Sequence, residues 1–583
     1  MNTIELVQFK DSVLKHFHNN SRTLAAQEID GFIQLLEQIV SMDNSATSRK
    51  GKVKAEFISR WLNQNGCKSK VLKLENSENY AVANEDNSWY VVEAYVGAED
   101  FVDNGKNAIF SVHHDHVARN DSQIKLEGGK MSAQGIVDDS INLVSALYEF
   151  VNFNRWYEEN KDSLDQNICV KLIVSDGEEV NTQGMKYLMN QWYETGKLKE
   201  LAYMIVCEAT SKAQQFDEVG NAVINENIVP GIAYANRGKV TGTFRFGSGE
   251  ASCSDIAQSV FSFLRVWQEY FHVNSMSSET STDREQLIAT ELIPTYFNLD
   301  GHEGDFIWEL RTNKKIGACE GFKLMEKAVL DSNHIDRVQK VDNSALQCKF
   351  AEMYKYEITS EGAIVEIDLK DSIHPANFVL GKTCDPLTLS MLFLAGMFDE
   401  DRMKLTSVQW GDVNKPNSVP QFAKLYFSSN INFEAVLNRM LKADYLELVE
   451  KYIERGIELV KSSKVKMSIE RNQAASCREG LEVQEKDWGL VEAAQNNLKK
   501  NINEAFGIEC TPRINVFNAM HDGGPSTYEH IHPIVWANGE KLITIGVGDF
   551  NKLHGHETLS PAELAAAMVQ YKDLLRSLTF PIK

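Results

Sequence analysis

Five short segments of this 583-residue chain carry residue types that could do chemistry together. They are His113-His114-Asp115-His116-Val117, Gly135-Ile136-Val137-Asp138-Asp139, Asp176-Gly177-Glu178-Glu179, Cys207-Glu208-Ala209-Thr210 and His554-Gly555-His556-Glu557. Each is a weak signal alone. Together, in this order, they supply two imidazoles, one carboxylate able to bridge, two terminal carboxylates and a spare glutamate beside a ligand. That inventory suits a pair of metal ions a few ångströms apart and hydrolysis by an activated water.

The residue types fit those roles for separate reasons. His113 offers an imidazole, and a carboxylate two residues on, Asp115, can hold the other ring nitrogen and fix the tautomer. His114 and His116 can be ordinary surface residues. An isolated Asp-Asp pair at a helix start is more often an N-cap, and only its company promotes Asp138 to a bridging ligand. Adjacent Glu178 and Glu179 divide labour if one binds metal and the other moves protons, because a ligating carboxylate is not also a free base. Glu208 follows an apolar strand, where an unpaired carboxylate would be costly. Either His554 or His556 completes the set. There is no GxSxG elbow, no GxGxxG or GxxxxGK[ST] loop and no CxxC pair.

The elements that must position these residues are legible around them. "AIFSV" (108–112), "VKLIVS" (170–175) and "AYMIV" (202–206) read as buried strands, with "WYVVEAYV" another. The first runs directly into His113, the second into Glu178-Glu179 and the third into Glu208. Polar residues just beyond the carboxyl ends of strands are where open α/β sheets place their ligands. The helix after Asp139 has Ile141, Val144, Leu147, Tyr148 and Val151 on one face.

After residue 236 the pattern changes. "KVTGTFRFG", an amphipathic helix "SDIAQSVFSFLRVWQEYF", "IATELIPTYFNL" and "GDFIWELRT" form one series. "GAIVEIDLK", a helix from Pro386 to Phe398, "LTSVQWGDV" and "FAKLYFSS" form a second in the same order. The expected fold is therefore α/β. Residues 1–235 and 473–583 form a catalytic domain around an inserted α+β domain at 236–472, made of tandem units at about 236–345 and 346–472. The charged stretch near 433–462 reads as one solvated amphipathic helix.

Composition bounds the rest. At 43% apolar and 24% charged the chain is an ordinary globular protein, long enough for two or more domains. A net charge of −22 disfavours nucleic acid and anionic membranes as partners. No apolar run is long enough to span a bilayer and no secretory signal is visible, so a cytoplasmic setting is expected. The nine scattered cysteines suit reduced, buried thiols.

These residues resemble the co-catalytic zinc peptidases that include carboxypeptidase G, peptidase T, PepV-type dipeptidases, carnosinase, aminoacylase and succinyl-diaminopimelate desuccinylase. The resemblance runs from about residue 105 to the C-terminus. The family's HxDxV motif matches His113, Asp115 and Val117; its Asp-Asp matches Asp138 and Asp139. Its Asp-Glu-Glu is Asp176-Gly177-Glu178-Glu179 with one residue inserted, its Glu-Pro-Thr is Glu208-Ala209-Thr210, and its glycine pair is Gly523-Gly524.

The resemblance implies an α/β/α catalytic sandwich with an inserted lid, and two divalent ions, zinc with cobalt or manganese as alternatives. His113 and Glu208 would hold one ion. Glu179 and a C-terminal histidine, His554 in preference to His556, would hold the other. Asp138 would bridge, and Glu178 would be general base and acid. In the lid, His374 of "DSIHPANFVLGKTCDP" matches the histidine that stabilises the tetrahedral intermediate, and Asn417 matches a substrate-binding asparagine. The family's substrate arginine falls at Asn430, and Arg311 is a stand-in for it. The implied substrate is a small peptide or N-acyl amino acid. A doubled lid, as in PepV-type dipeptidases, implies a monomer, with a homodimer the alternative. Loss of that arginine leaves a second implication open, a catalytically dead member acting as a binding or interaction module.

Overall fold

The computed structural model describes residues 3–45, 50–75, 86–103, 105–116, 123–164, 167–179, 183–197, 201–210, 230–236, 238–275, 290–312, 317–330, 353–369, 386–398, 404–411, 422–471, 481–483, 485–509, 512, 514–517, 541–548 and 557–580. The chain forms two compact units. One comprises Met1–Gln215, Ala222–Asn236 and Leu481–Lys583; the other is essentially Arg237–Gly480.

The first unit opens with helices Thr3–Leu14, Asn19–Ser41 and Gly51–Gln64. Its strands before residue 237 are β1 (Lys68–Glu75), β2 (Ser88–Gly97), β3 (Lys106–His113), β4 (Lys125–Glu127), β5 (Lys130–Ser132), β6 (Ile168–Ser175), β7 (Leu201–Cys207) and β8 (Ile232–Asn236). Its nine-stranded sheet has the order β1-β2-β6-β3-β7, then Leu542–Ile545, β8 and Leu481–Glu482, with Ile514–Phe517 also paired to β8. The run from β6 through β3 and β7 to Leu542–Ile545 is parallel. Those strands are apolar almost throughout because both faces are covered. Ile109, Ile173 and Met204 pack with Met185, Leu188 and Trp192 of the helix Gln183–Glu194. Phe110, on the other face, meets Tyr571 edge to face. The unit is thus a mixed α/β fold with helices on both sides of the sheet.

The second unit contains β9 (Gly238–Gly247), β10 (Glu291–Asp300), β11 (Glu303–Thr312), β12 (Tyr354–Thr359), β13 (Gly362–Asp368), β14 (Leu405–Trp410), β15 (Phe422–Phe427) and β16 (Lys466–Arg471). They form one antiparallel sheet in the order β12-β13-β15-β14-β10-β11-β9-β16. Outward from the β10–β14 junction the halves match. One runs β10-β11-β9-β16 and the other β14-β15-β13-β12, and helices Cys253–Ser275 and Pro386–Gly396 follow β9 and β13. The two repeated series therefore share one sheet and one apolar core, in which Phe261 and Trp308 belong to the same cluster as Leu389 and Trp410.

The single solvated helix expected near 433–462 is instead two, Phe433–Met440 and Tyr445–Lys461. The second buries Tyr445, Val449, Tyr452, Ile453 and Ile457. It packs so closely on Cys253–Ser275 that a Cβ at Gly456 would lie 2.2 Å from Ser262 Oγ and 2.5 Å from Gln258 O. Among the described residues, no helix is long and apolar enough to cross a membrane, and Cys67, Cys169, Cys207 and Cys253 are buried free thiols.

Candidate metal centre

The parallel strands end level with one another. His113, the last residue of β3, pairs in register with Ser175 of β6, and Cys207 of β7 pairs with Ile545. The residues that leave the sheet there are His113, Asp176 and Glu208. Beyond β7, Thr210 Oγ1 contacts Gly231 O and Gly546 O at 2.8 Å each and accepts the Gly546 N–H at 3.1 Å. Gly546 has to be glycine: a Cβ there would lie 2.2 Å from Glu208 O.

The His113 ring is buried, at 1% exposure. Its Nδ1 faces Asp115, 3.0 Å from the backbone carbonyl and 3.5 Å from the carboxylate. Its Nε2 faces Asp138 Oδ1 at 3.1 Å and Glu208 Oε1 at 3.3 Å. Asp139 joins them: ligand-type atoms of His113, Asp139 and Glu208 all lie within 4.8 Å of one another.

The two aspartates sit in a tight turn, Ile136–Ser140, entered through Gly135 at φ 75°, a left-handed conformation that favours glycine. The Glu557 carboxylate accepts the N–H groups of Val137 and Asp138 at 2.9 and 3.1 Å. Asp139 Oδ1 accepts Asn142 Nδ2 at 2.8 Å, while Asp139 Oδ2 has no hydrogen-bond partner among the described residues.

The charges do not balance internally. Burial alone would push the His113 imidazole down, but the Glu208 charge and hydrogen bonds to Asp115, Asp138 and Glu208 hold it well above its usual value. Burial, then the Glu208 charge, raises Asp139 well above the carboxylate range. Burial, then the Asp138 charge, pushes Glu557 up to about 8 against the backbone N–H groups that favour its anion. Among the described residues, three converging carboxylates with one imidazole, one of their oxygens without a hydrogen-bond partner, form a donor set short of positive charge. Such a set fits a divalent metal ion.

Beside it lies the acidic loop. Asp115 Oδ1 and Oδ2 accept the N–H groups of Glu178 and Glu179 at 3.1 and 3.0 Å, so the His113 segment and the two glutamates are bonded together. Both glutamate side chains are half-buried. His114 and His116 are not surface residues: both are buried. His114 Nε2 lies 2.8 Å from Tyr90 O and its Nδ1 3.0 Å from Asn44 Nδ2, while His116 Nε2 lies 3.2 Å from Asp43 Oδ1. They are buried because the segment after the helix Asn19–Ser41 covers them, pairing Ser45 with His116.

His554, His556, His374, Asn417, Val117, Gly523 and Gly524 lie outside the described residues. Arg311, in the second unit, is buried and its Nε bonds Glu309, whose carboxylate also meets Lys239 at 2.9 Å. That ion pair gives Arg311 a structural partner. Asn430 is exposed and faces Tyr356 OH at 3.4 Å. The residues missed from sequence are Asn44 and Asn142, while Glu557 of the fifth segment was given no role. Only Glu557 carried a local signal, its place beside the C-terminal histidines.

No family model and no curated protein sequence matches the chain. Solved structures similar to it include the di-peptidase Dug1p from Saccharomyces cerevisiae (12% identity, TM-score 0.45, covering 98% of this chain and 99% of that one). Human carnosine dipeptidase 1 has 11% identity and a TM-score of 0.44, with the same coverage. An M20 family metallo-carboxypeptidase, Sso-CP2 from Sulfolobus solfataricus, has 14% identity and a TM-score of 0.43, covering 94% of this chain and 99% of that one.

Proposed function

We propose that the chain is a metal-dependent hydrolase that cleaves an amide bond in a small peptide or an N-acyl amino acid. The observation that carries this reading is the convergence of His113, Asp138, Asp139 and Glu208 at the carboxyl ends of parallel strands, with Glu178 and Glu179 tied alongside by Asp115. The motif resemblance around these residues supports it.

In this reading His113 and Glu208 would hold one ion, Glu179 and His554 would hold another, and Asp138 would be a ligand shared by both. When bound, two divalent ions, zinc with cobalt or manganese as alternatives, supply Lewis acidity and an activated water at neutral pH. Glu178 takes a proton from the attacking water and returns it to the leaving amine nitrogen. Asp115 orients that base through the Glu178 N–H, so the carboxylate need not be ordered anew at each turnover. His374 donates to the developing oxyanion and Asn417 binds substrate.

A panel of dipeptides and N-acyl amino acids, assayed with added zinc, cobalt or manganese, tests the reading. Turnover of one substrate class, lost on chelation, is the expected result. A second reading, a binding module without turnover, is favoured by Asn430 standing where the resemblance expects an arginine. A chain that holds metal and turns over nothing would establish it.

A further inference from the structure

We propose that Asn44, which precedes all five chemistry-bearing segments, is a positioning residue that locks the Glu178–Glu179 loop to the His113 segment. The inference rests on the hydrolase reading for its catalytic consequence.

Asn44 follows the helix Asn19–Ser41 and is 4% exposed. Its Nδ2 lies 3.0 Å from His114 Nδ1 and 3.0 Å from Asp176 Oδ1. One amide nitrogen carries two hydrogens, so both bonds form at once. The surroundings admit only this arrangement. The His114 Nε2–H donates to Tyr90 O at 2.8 Å, which leaves Nδ1 of the neutral ring as a bare acceptor. The other Asp176 oxygen accepts the Tyr90 N–H at 2.9 Å. Turning the amide over would set its oxygen against a carboxylate. The Asn44 backbone grips the same segment, its carbonyl accepting the His116 N–H at 3.3 Å.

Two side chains therefore join the same two loops, beyond the backbone bond from the His114 N–H to Ser175 O at 3.0 Å. Asp115 reaches the N–H groups of Glu178 and Glu179. One residue before Asp115 is His114, and one residue before Gly177 is Asp176; Asn44 joins that pair. It holds the turn that delivers the general base and the adjoining metal ligand. Aspartate there would place a second carboxylate against Asp176. Alanine would take away the donor that these two buried acceptors share, and losing a donor at a buried acceptor is the costly half of a lost hydrogen bond.

The test uses the full chain carrying Asn44→Ala, with Asp43→Ala as control. Asp43→Ala removes the His116 contact and the Ser45 N–H bond of the same segment and leaves the Asn44 amide in place. For Asn44→Ala, kcat on the substrate found in the panel should fall on the order of 10- to 100-fold with KM nearly unchanged, and the zinc Kd of chelator-stripped protein should rise by a similar factor. Amide hydrogen exchange in the peptide 173–179 of metal-free protein should quicken, and Asp43→Ala should show none of these changes. If Asn44→Ala does not fold, Asn44→Ser, which keeps one donor, is read the same way. Unchanged exchange in 173–179, or an Asp43→Ala variant matching Asn44→Ala in every readout, overturns the proposal. A wild-type chain that turns over nothing sinks the hydrolase reading instead, and exchange and zinc affinity still decide on Asn44.

Discussion

The Glu557 carboxylate accepts the backbone N–H of Asp138 at 3.1 Å, a bond that spans 419 positions of sequence. It makes the C-terminal segment a structural part of the turn that aims Asp138 and Asp139 at His113. Removing it should loosen the turn without removing any ligand. Glu557→Ala should weaken metal binding on the order of 10- to 100-fold. Glu557→Gln keeps an acceptor oxygen for the two N–H groups and should lose much less. Isothermal titration of metal into both variants checks this, and equal losses would mean that charge, not the acceptor, matters.

Metal analysis of protein prepared without chelator should give two divalent ions per chain. Asp138→Ala should lose more metal than Asp139→Ala, because the resemblance gives Asp138 the bridging role and its Oδ1 lies 3.1 Å from His113 Nε2. If Asp139→Ala is the more damaging, the bridging role belongs to Asp139. Of the two terminal histidines, His554→Ala should lose one ion and His556→Ala little.

Glu178→Gln should abolish turnover and keep its metal, since an amide of the same shape accepts no proton. Glu179→Gln should weaken one ion instead. Equal loss of metal and activity in both variants would refute this division of roles.

The strand ends of this site were legible because the signal is local. An apolar run that stops in a histidine or glutamate places His113 and Glu208 without knowledge of the fold. Asn44 was illegible because its partners stand 70 and 132 positions away, and an asparagine after a helix reads as ordinary turn chemistry. The burial of His114 followed from the same distant contact. The two-helix break escaped notice because apolar residues continue on both sides of Leu441–Asp444. The element order of the second unit was visible, but the β10–β14 pairing that merges its halves is a tertiary event.

Acid stability of the second unit should depend on Glu309. Burial would raise its carboxyl, but Arg311 and Lys239 more than offset this and hold it at about 2, below its ordinary value. A depressed carboxyl contributes stability above its unfolded pKa and loses it as pH falls through the folded one. The wild type should therefore weaken between about pH 5 and pH 2. Glu309→Gln should cost on the order of 3–5 kcal/mol at neutral pH, because two buried cations lose a carboxylate partner, and should flatten that slope. Denaturant unfolding across this range checks both effects.

Glycine to alanine usually stabilises a helix interior, but Gly456→Ala should do the reverse. The new Cβ would overlap Ser262 Oγ and the Gln258 backbone, and overpacking of this kind costs roughly 1–3 kcal/mol. A raised melting temperature would show that the two helices can separate without penalty.

The doubled second unit bears on assembly. Its two halves form one continuous eight-stranded sheet within a single chain, and by the resemblance a doubled unit of this kind implies a monomer. In the proposed reading His374 then acts in its own chain, donating to the oxyanion of the substrate bound there. Sizing in solution should give one chain. Mixing inactive His374→Ala with inactive Glu178→Gln should restore nothing, because neither molecule offers its intact residue to the other. Recovered activity on mixing would mean that sites are shared between chains, and a self-sufficient monomer would have to be abandoned.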